Sequence, residues 1–159
     1  MVSGLTLTGC SEEDNPENNI IGKWTTTEFD AGILVNSVPV IRWYTEKYNT
    51  SETEATDFAN SIIRDVEINL TGTMQFNSDH SYQINFGDEP EETGVWQLVD
   101  NNQKLSFTNS KNNESNESDV KALSSSILIL GFSDSNWGDV DKDGQNDNLF
   151  ISINLTLEK

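Results

Sequence analysis

Apolar and polar residues alternate through most of the chain, in short runs that end at turn-forming residues. Alternation with a period of two places every second side chain on one face, which is typical of strands half-buried against a core. It predicts strands at residues 22–29, 33–35, 40–44, 66–70, 73–76, 81–86, 94–99, 105–108, 120–123, 127–132 and 149–157. The polar, unpatterned residues 109–118 predict a surface loop. We therefore expect an all-β, mainly antiparallel fold, a β-barrel of about eight strands or alternatively a β-sandwich.

One segment, residues 51–65, departs from this alternation. Ser51 followed by Glu54 has the spacing of a capping box, in which each side chain accepts a hydrogen bond from the other residue's backbone N–H. The apolar residues of the segment recur at helical spacing, as on one face of a helix: Ala55, Phe58, Ala59 and Ile62. The sequence therefore predicts one short amphipathic helix within the β fold.

The first residues of the chain differ in character from the rest. Cys10 is the only cysteine; it follows Leu-Thr-Gly, and residues 11–19 after it include no apolar side chain. A short apolar stretch that ends in small residues and a cysteine resembles the lipobox of bacterial lipoproteins. The resemblance implies that residues 1–9 are the remnant of a signal peptide and that Cys10 receives a diacylglycerol. Residues 10–19 would then be a flexible acidic tether ahead of a barrel domain at residues 20–159.

The same resemblance implies a location. We expect an outer-membrane lipoprotein whose partner is the membrane itself, through the acyl chains, on the periplasmic face or the cell surface. The acidic run at residues 12–14 resembles the export signal that carries some Gram-negative lipoproteins to the cell surface. The sequence contains no run of about 20 apolar residues, so we expect no membrane-spanning helix.

Charge restricts the class of partner. The sequence contains 27 acidic and 9 basic residues, which gives a formal net charge of −18 at pH 7. A field of this sign repels nucleic-acid phosphates and favours cations. We therefore expect no nucleic-acid partner.

The sharpest local motif is an acidic segment between two predicted strands, residues 139–147. Carboxylates at alternate positions place their oxygens on one side of a looped backbone, and the glycine that follows permits a tight turn around an ion. A helix–loop–helix calcium site requires Glu at the twelfth position, where Phe150 stands. The spacing instead resembles the Asp-x-Asp-x-Asp-Gly-x-x-Asp loops of extracellular proteins. That resemblance implies a structural Ca²⁺, while a polar turn without an ion is the alternative. The implied ligands are Asp139, Asp141, Asp143, the backbone carbonyl of Gln145, and Asp147.

Three other segments resemble the lipocalin-like, calycin-type domains of small bacterial lipoproteins. A Gly-x-Trp at residues 22–24 opens the first strand, residues 74–82 resemble the central hairpin of that family, and residues 94–107 include its next hairpin. The resemblance implies a barrel that Trp24 plugs at one end. In lipocalins a basic residue from the last strand caps this tryptophan; here the candidate is Lys159, at the terminus.

Catalytic arrangements are scarce in the sequence. The only histidine, His80, lies in a predicted turn, where side chains are usually exposed to solvent. The sequence has neither a glycine-rich phosphate loop nor a Cys/His cluster. A carboxylate pair about 5–9 Å apart in a cleft would mark a glycoside hydrolase, but the sequence does not single out such a pair. We therefore expect a protein that is not an enzyme.

The remaining expectation concerns a ligand. A barrel of about eight strands has room for one small molecule, so we expect binding of a small apolar ligand or glycan, or an accessory role. Trp137 precedes the acidic segment, and Trp43 and Tyr44 lie near a predicted strand edge. These aromatics are candidate ligand contacts, although core packing explains most such residues. The alternative function is a calcium-dependent carbohydrate-binding module of a surface glycan system.

Overall fold

The computed structural model describes residues 15–159. Its helices are α1 (Pro16–Ile20), α2 (Val40–Tyr48) and α3 (Glu52–Leu70). Its strands are β1 (Gly22–Val35), β2 (Val38–Pro39), β3 (Gly72–Phe76), β4 (Ser81–Phe86), β5 (Glu92–Val99), β6 (Lys104–Asn109), β7 (Ser115–Leu123), β8 (Ile127–Gly138) and β9 (Asp147–Glu158). Within this part of the chain, no helix combines the length and the apolar character that crossing a membrane requires. Cys10, the predicted leader and the first residues of the predicted tether lie outside the described residues.

The strands form one antiparallel sheet that closes on itself. β3 pairs with β1, and each strand from β4 to β9 pairs with the strand before it. β9 also pairs with β1, in a register that runs from Thr25 opposite Glu158 to Val35 opposite Leu149. Because this pairing joins the two ends of the sheet, eight strands make a closed barrel and the β-sandwich is excluded. The ninth strand, β2, pairs only with the end of β1. The expected all-β barrel of about eight strands is confirmed.

Apolar side chains fill the end of the barrel where β1 begins, which we call the Trp24 end. The alternation that predicted the strands directs these side chains inward, where large rings and leucines from all sides meet. The cluster consists of Ile20, Trp24, Met74, Phe76, Tyr82, Trp96, Leu105, Phe107, Leu128, Leu130, Leu155 and Leu157. The interior at this end is therefore a packed core.

Lys159 caps this core at the Trp24 end. Its Nζ lies 4.5 Å from the centre of the Trp24 ring and donates a hydrogen bond to the carbonyl oxygen of Asn19, at 2.6 Å. The indole Nε1 of Trp24 donates to the carbonyl oxygen of Ile20, at 2.7 Å. A cation over an aromatic face is attracted by the ring quadrupole, and partial burial lowers the pKa of Lys159. The terminal lysine thus takes the place that the lipocalin resemblance assigns to a basic residue.

The last part of the predicted tether is a helix in the structure. Asn15 caps α1 by accepting a hydrogen bond from the backbone N–H of Glu17, and Pro16 stands at the first helical position. Pro is favoured there because its missing N–H would have no intrahelical partner. Ile20 at the end of the helix is buried under Trp24. The expectation of a flexible segment up to residue 19 is therefore wrong for residues 16–19.

At the other end, which we call the helix end, three strands extend beyond the others. β1, β8 and β9 have 14, 12 and 12 residues, whereas β3 to β6 have 5 to 8. The extensions form a wall whose inner face is covered by α2 and α3. A second apolar cluster joins the wall to these helices: Ile33, Val35, Val40, Trp43 and Ala59, with Phe58, Ile62, Leu149 and Ile151 packed against them.

Several element predictions are wrong in a consistent way. Residues 40–44 were expected as a strand but belong to α2, and residues 66–70 continue α3 rather than start a strand. Short apolar runs fit either periodicity, and here packing on the long strands selects the helix. Residues 33–35 extend β1, and β7 begins at Ser115 inside the expected loop. There are three helices in the described residues rather than one, although the capping box of Ser51 and Glu54 is present.

The packing predicts a large difference between two tryptophans. Trp24 is fully buried, whereas 67% of Trp137 is exposed. We expect Trp24→Ala to lower the free energy of unfolding by about 3–5 kcal/mol, because it leaves a cavity in the core. The matched change Trp137→Ala should alter it by no more than about 0.5 kcal/mol. Urea unfolding followed by circular dichroism measures both; similar losses for the two variants would contradict the described core.

Gly94 provides a second test, of the barrel wall. A Cβ added there would lie 2.0 Å from the carbonyl oxygen of Thr108 and 2.7 Å from the ring of Tyr82. Because that oxygen belongs to the neighbouring strand, we expect Gly94→Ala to destabilise by about 1–3 kcal/mol. Gly138→Ala is the control, since a methyl group at that position would have nothing within 4 Å of it. Thermal melts should separate the two variants; an unchanged melting temperature for Gly94→Ala would refute the close strand approach.

Candidate functional site

The acidic loop, residues 139–146, connects β8 to β9 at the helix end. One carboxylate oxygen from each of Asp139, Asp141 and Asp143 lies within 4.8 Å of the others. The loop is wound around Asp139, whose two oxygens accept hydrogen bonds from the backbone N–H of Asp143, at 2.9 Å, and of Gly144, at 2.8 Å. Gly144 has a φ of +87°, which favours glycine. The structure therefore brings together three of the predicted ligands.

A lysine from α2 balances part of this charge. The Nζ of Lys47 lies 2.6 Å from Oδ2 of Asp141 and 2.7 Å from Oδ2 of Asp143. The hydroxyl of Tyr48 donates a hydrogen bond to the same Asp141 oxygen. Desolvation of Asp141 opposes its charge, but the hydrogen bonds from Lys47 and Tyr48 prevail and hold its pKa below the usual range. The hydrogen bond to Asp141 also raises the pKa of Tyr48 to about 12.

Asp147 stands apart from the three clustered carboxylates, at the neck of the loop. It is the first residue of β9 and pairs with Gly138, the last residue of β8. Only 5% of Asp147 is exposed. Its Oδ1 accepts a hydrogen bond from Nδ2 of Asn36, at 2.8 Å, whereas its Oδ2 is buried with no hydrogen-bond partner among the described residues. Gln145, the fifth predicted ligand, is exposed, and its backbone N–H donates to Asp143, at 2.8 Å.

A cleft of about 670 Å³ opens into the barrel at the helix end, between α3 and β7 to β9. Its floor continues the inward face of the core along β8 and β9. Two residues beyond the packed pair Leu130 and Leu155, Phe132 pairs with Ile153. Two residues further, Asp134 pairs with Ile151. The other residues that line it are Val66, Asn116, Glu117 and Ser133. The cleft is thus the part of the barrel interior that side chains do not fill.

A second depression, about 830 Å³, lies on the outside of the barrel. Its lining residues Ile129 and Thr156 pair with each other and alternate along their strands with the buried Leu130 and Leu155. They therefore face away from the core, and this depression is a groove on the outer surface rather than part of the interior.

The three aromatics predicted as ligand contacts differ in their surroundings. Trp137 is largely exposed on the outer face of β8, close to the acidic loop. Trp43 is only 9% exposed and belongs to the second apolar cluster. Tyr44 stacks on Phe58, with ring centroids 4.3 Å apart. Of the three, Trp137 has the free surface that contact with a ligand requires.

His80 lies in a turn, where its backbone takes part in the hydrogen bonds that hold the turn. It lies between β3 and β4 with a φ of +64°, and its ring is 4.9 Å from that of Trp96. Its backbone N–H donates to Asn77, at 3.1 Å, and its carbonyl accepts from Trp96, at 2.7 Å. A carboxylate oxygen of Glu17 lies 3.9 Å from its Nε2.

Several functional candidates were missed in the sequence, among them Lys47, Val66 and Asp134. Val66 fell in a segment expected as a strand, and Lys47 and Asp134 lie just beyond two other expected strands. The spacing of Val40, Trp43, Tyr44 and Lys47 is that of one helical face, and this signal could have placed the lysine at the end of a helix. Its contact with the acidic loop depends on how α2 packs, which the sequence does not specify locally.

Comparison with solved structures gives a distant likeness in fold. No protein-family model matches the sequence, and no curated protein matches it. Among solved structures, the chain is similar to a DUF4847 family protein from Bacteroides vulgatus ATCC 8482, with 15% identity and a TM-score of 0.37. The matched region covers 83% of this chain and 92% of that chain.

Proposed function

We propose that this protein is a non-enzymatic, lipid-anchored binding domain that holds a small amphipathic molecule in the cleft at the helix end. The observation that carries the proposal is the division of the barrel interior. Side chains pack the Trp24 end, but beyond Leu130 and Leu155 the same inward face lines an open cleft. Ligand sites are commonly clefts of roughly 300–1,000 Å³ with apolar walls and a few polar groups.

The lining of the cleft suggests the chemistry of the ligand. Phe132, Ile151, Ile153 and Val66 offer an apolar wall, which suits an alkyl chain or ring. Asp134 lies in register with Ile151 on that inward face, and the chain carries a net charge of −18. An anionic head group would be repelled, so a ligand with a neutral or cationic head group is favoured.

The arrangement of carboxylates around the cleft supports a binding role over hydrolysis. Glu117 lies on the opposite face of β7 from the buried Ser118, and its carboxylate accepts a hydrogen bond from Nζ of Lys104, at 2.9 Å. A hydrolytic pair needs two carboxylates that face one bond. Asp134 alone would face a ligand in the cleft, which suits recognition of a head group.

Two probes of equal chain length test this function. The full chain with Cys10→Ala should bind dodecyltrimethylammonium below its micellar concentration, with at least about tenfold higher affinity than dodecanoate, because Asp134 attracts one head group and repels the other. Asp134→Asn should reduce that preference. Isothermal titration gives the affinities, and native mass spectrometry after exposure to lipid and glycan pools would identify natural ligands.

A bulky substitution on α3 locates the site. Val66→Trp should block the cleft and abolish binding of the cationic probe. Ile68→Trp is the matched control on the same helix, since Ile68 is 56% exposed and does not line the cleft. If both variants bind as the parent does, or if the parent retains no probe, the cleft is not the ligand site.

The anchor is proposed from the sequence around Cys10. In the native host, a clickable fatty acid should label the protein, and the label should place it in the outer-membrane fraction. Cys10→Ala should lose the label and leave that fraction, because the chain offers no other thiol. A labelled Cys10→Ala variant would contradict attachment at this residue.

A second function is favoured by one observation, the exposure of Trp137 beside the acidic loop. An exposed indole can stack on a sugar ring, so a carbohydrate-binding module remains the alternative. Affinity electrophoresis in polysaccharide gels tests it: retardation that is lost in Trp137→Ala would support this function. Retardation that persists in the variant would exclude Trp137 as the contact, and Val66→Trp distinguishes this surface from the cleft.

A further inference from the structure

The acidic loop places more negative charge at the helix end than its neighbours neutralise. Asp139, Asp141 and Asp143 converge within 4.8 Å, and their ion pairs in the described residues are those of Lys47 with Asp141 and Asp143. The carboxylate of Asp139 is held by backbone N–H groups alone. Like charges at this separation repel one another, so the cluster favours a further cation.

Asp147 is an independent indication that a cation binds here. Its Oδ2 is buried without a partner among the described residues, and a buried carboxylate oxygen that lacks a donor or a metal is strongly unfavourable. This side chain lies at the base of the acidic loop. Asp147 is opposite Gly138, which directly precedes Asp139. Val140 in the loop packs in the same apolar cluster as Leu149, two residues beyond Asp147 on β9. The orphaned oxygen therefore belongs to the residue that closes the loop bearing the three converging carboxylates.

We propose that residues 139–147 form a calcium site in which Lys47 competes with the ion. Asp139, Asp141, Asp143 and Asp147 supply side-chain oxygens, and Gln145 supplies its backbone carbonyl. Oxygen-only ligands suit Ca²⁺, which accepts six to eight ligands in flexible geometry. The ammonium group of Lys47 bridges the Oδ2 atoms of Asp141 and Asp143, where it takes part of the place of the divalent ion. Both cations cannot hold these oxygens without strong mutual repulsion.

Competition has a structural consequence for α2. When Ca²⁺ binds, the loop releases the last turn of α2, because Lys47 and the hydroxyl of Tyr48 share Asp141. The same ammonium also lies 4.9 Å from the ring centre of Trp43, a contact that the side chain can keep only near the loop. Binding of calcium thus replaces the contacts of α2 with the loop by contacts of the ion with the loop carboxylates.

Calcium titration of the full chain with Cys10→Ala, stripped of metal by a chelator, tests the proposal. We expect heat of binding with a Kd of roughly 0.1–1 mM, as in extracellular modules, and a higher melting temperature with millimolar CaCl₂ than with chelator. Asp147→Asn should weaken binding at least about tenfold, since it removes the charge of a buried ligand. Absence of both heat and melting shift in the parent would overturn the site.

Two lysine variants test the competition separately. Lys47→Met should bind calcium about three- to tenfold more tightly than the parent, because the two ion pairs of Lys47 no longer have to be broken. Lys121→Met is the matched control: it removes the same charge from an exposed ion pair with Asp119 on β7, far from the loop. Equal affinities for Lys47→Met and the parent, or equal gains in the two variants, would overturn the role of Lys47.

Discussion

The pairing of β1 with β9 is the constraint on which the rest of the structure depends. It runs over ten pairs of residues and contains one irregularity, between Thr26 and Glu28. Such an irregularity increases local twist and bends the strand, and it lies where β1 leaves β3 and continues along β9. The pairing removes the free edges of the sheet. It also carries β1, β8 and β9 beyond the other strands, so that the helices have a surface to cover.

The barrel was predictable because alternation is strong where one face is fully buried. Residues 73–76, 81–86 and 94–99 follow the structure closely, since large inward side chains recur there at every second position, such as Met74 and Phe76, Tyr82 and Ile84, and Trp96 and Leu98. Where burial is weaker, the pattern fails. Ser115 to Ser118 carry no apolar residue and are held in β7 by pairing with β6. Residues 40–44 are rich in β-formers, but Val40 and Trp43 bury more apolar surface as one face of a helix on the wall.

The candidate site likewise combines features that local sequence predicts with contacts that depend on residues far away in the sequence. The spacing of the aspartates and Gly144 is local, and it predicted the three carboxylates that lie together in the structure. Their partner Lys47 and the contact of Asn36 with Asp147 come from segments far away in the sequence. Only tertiary structure could assign these partners. Lys159 differs, because the lipocalin resemblance named it as the cap of Trp24 before the barrel was seen to close and place it there.

The cleft and the acidic loop share one support, the packing of α2 against α3. α3 contributes Val66 to the wall of the cleft, and α2 contributes Lys47 to the loop. The rings of Tyr44 and Phe58 stack between the two helices, and Trp43 lies 6.4 Å from Phe58 on the same contact. Because close-packed interfaces transmit strain, a cation that released the end of α2, as proposed, would act on the same helix pair that lines the cleft. The Trp24 end does not share this contact. Its core is packed separately and capped by Lys159, so a change in the packing of α2 would leave that core intact.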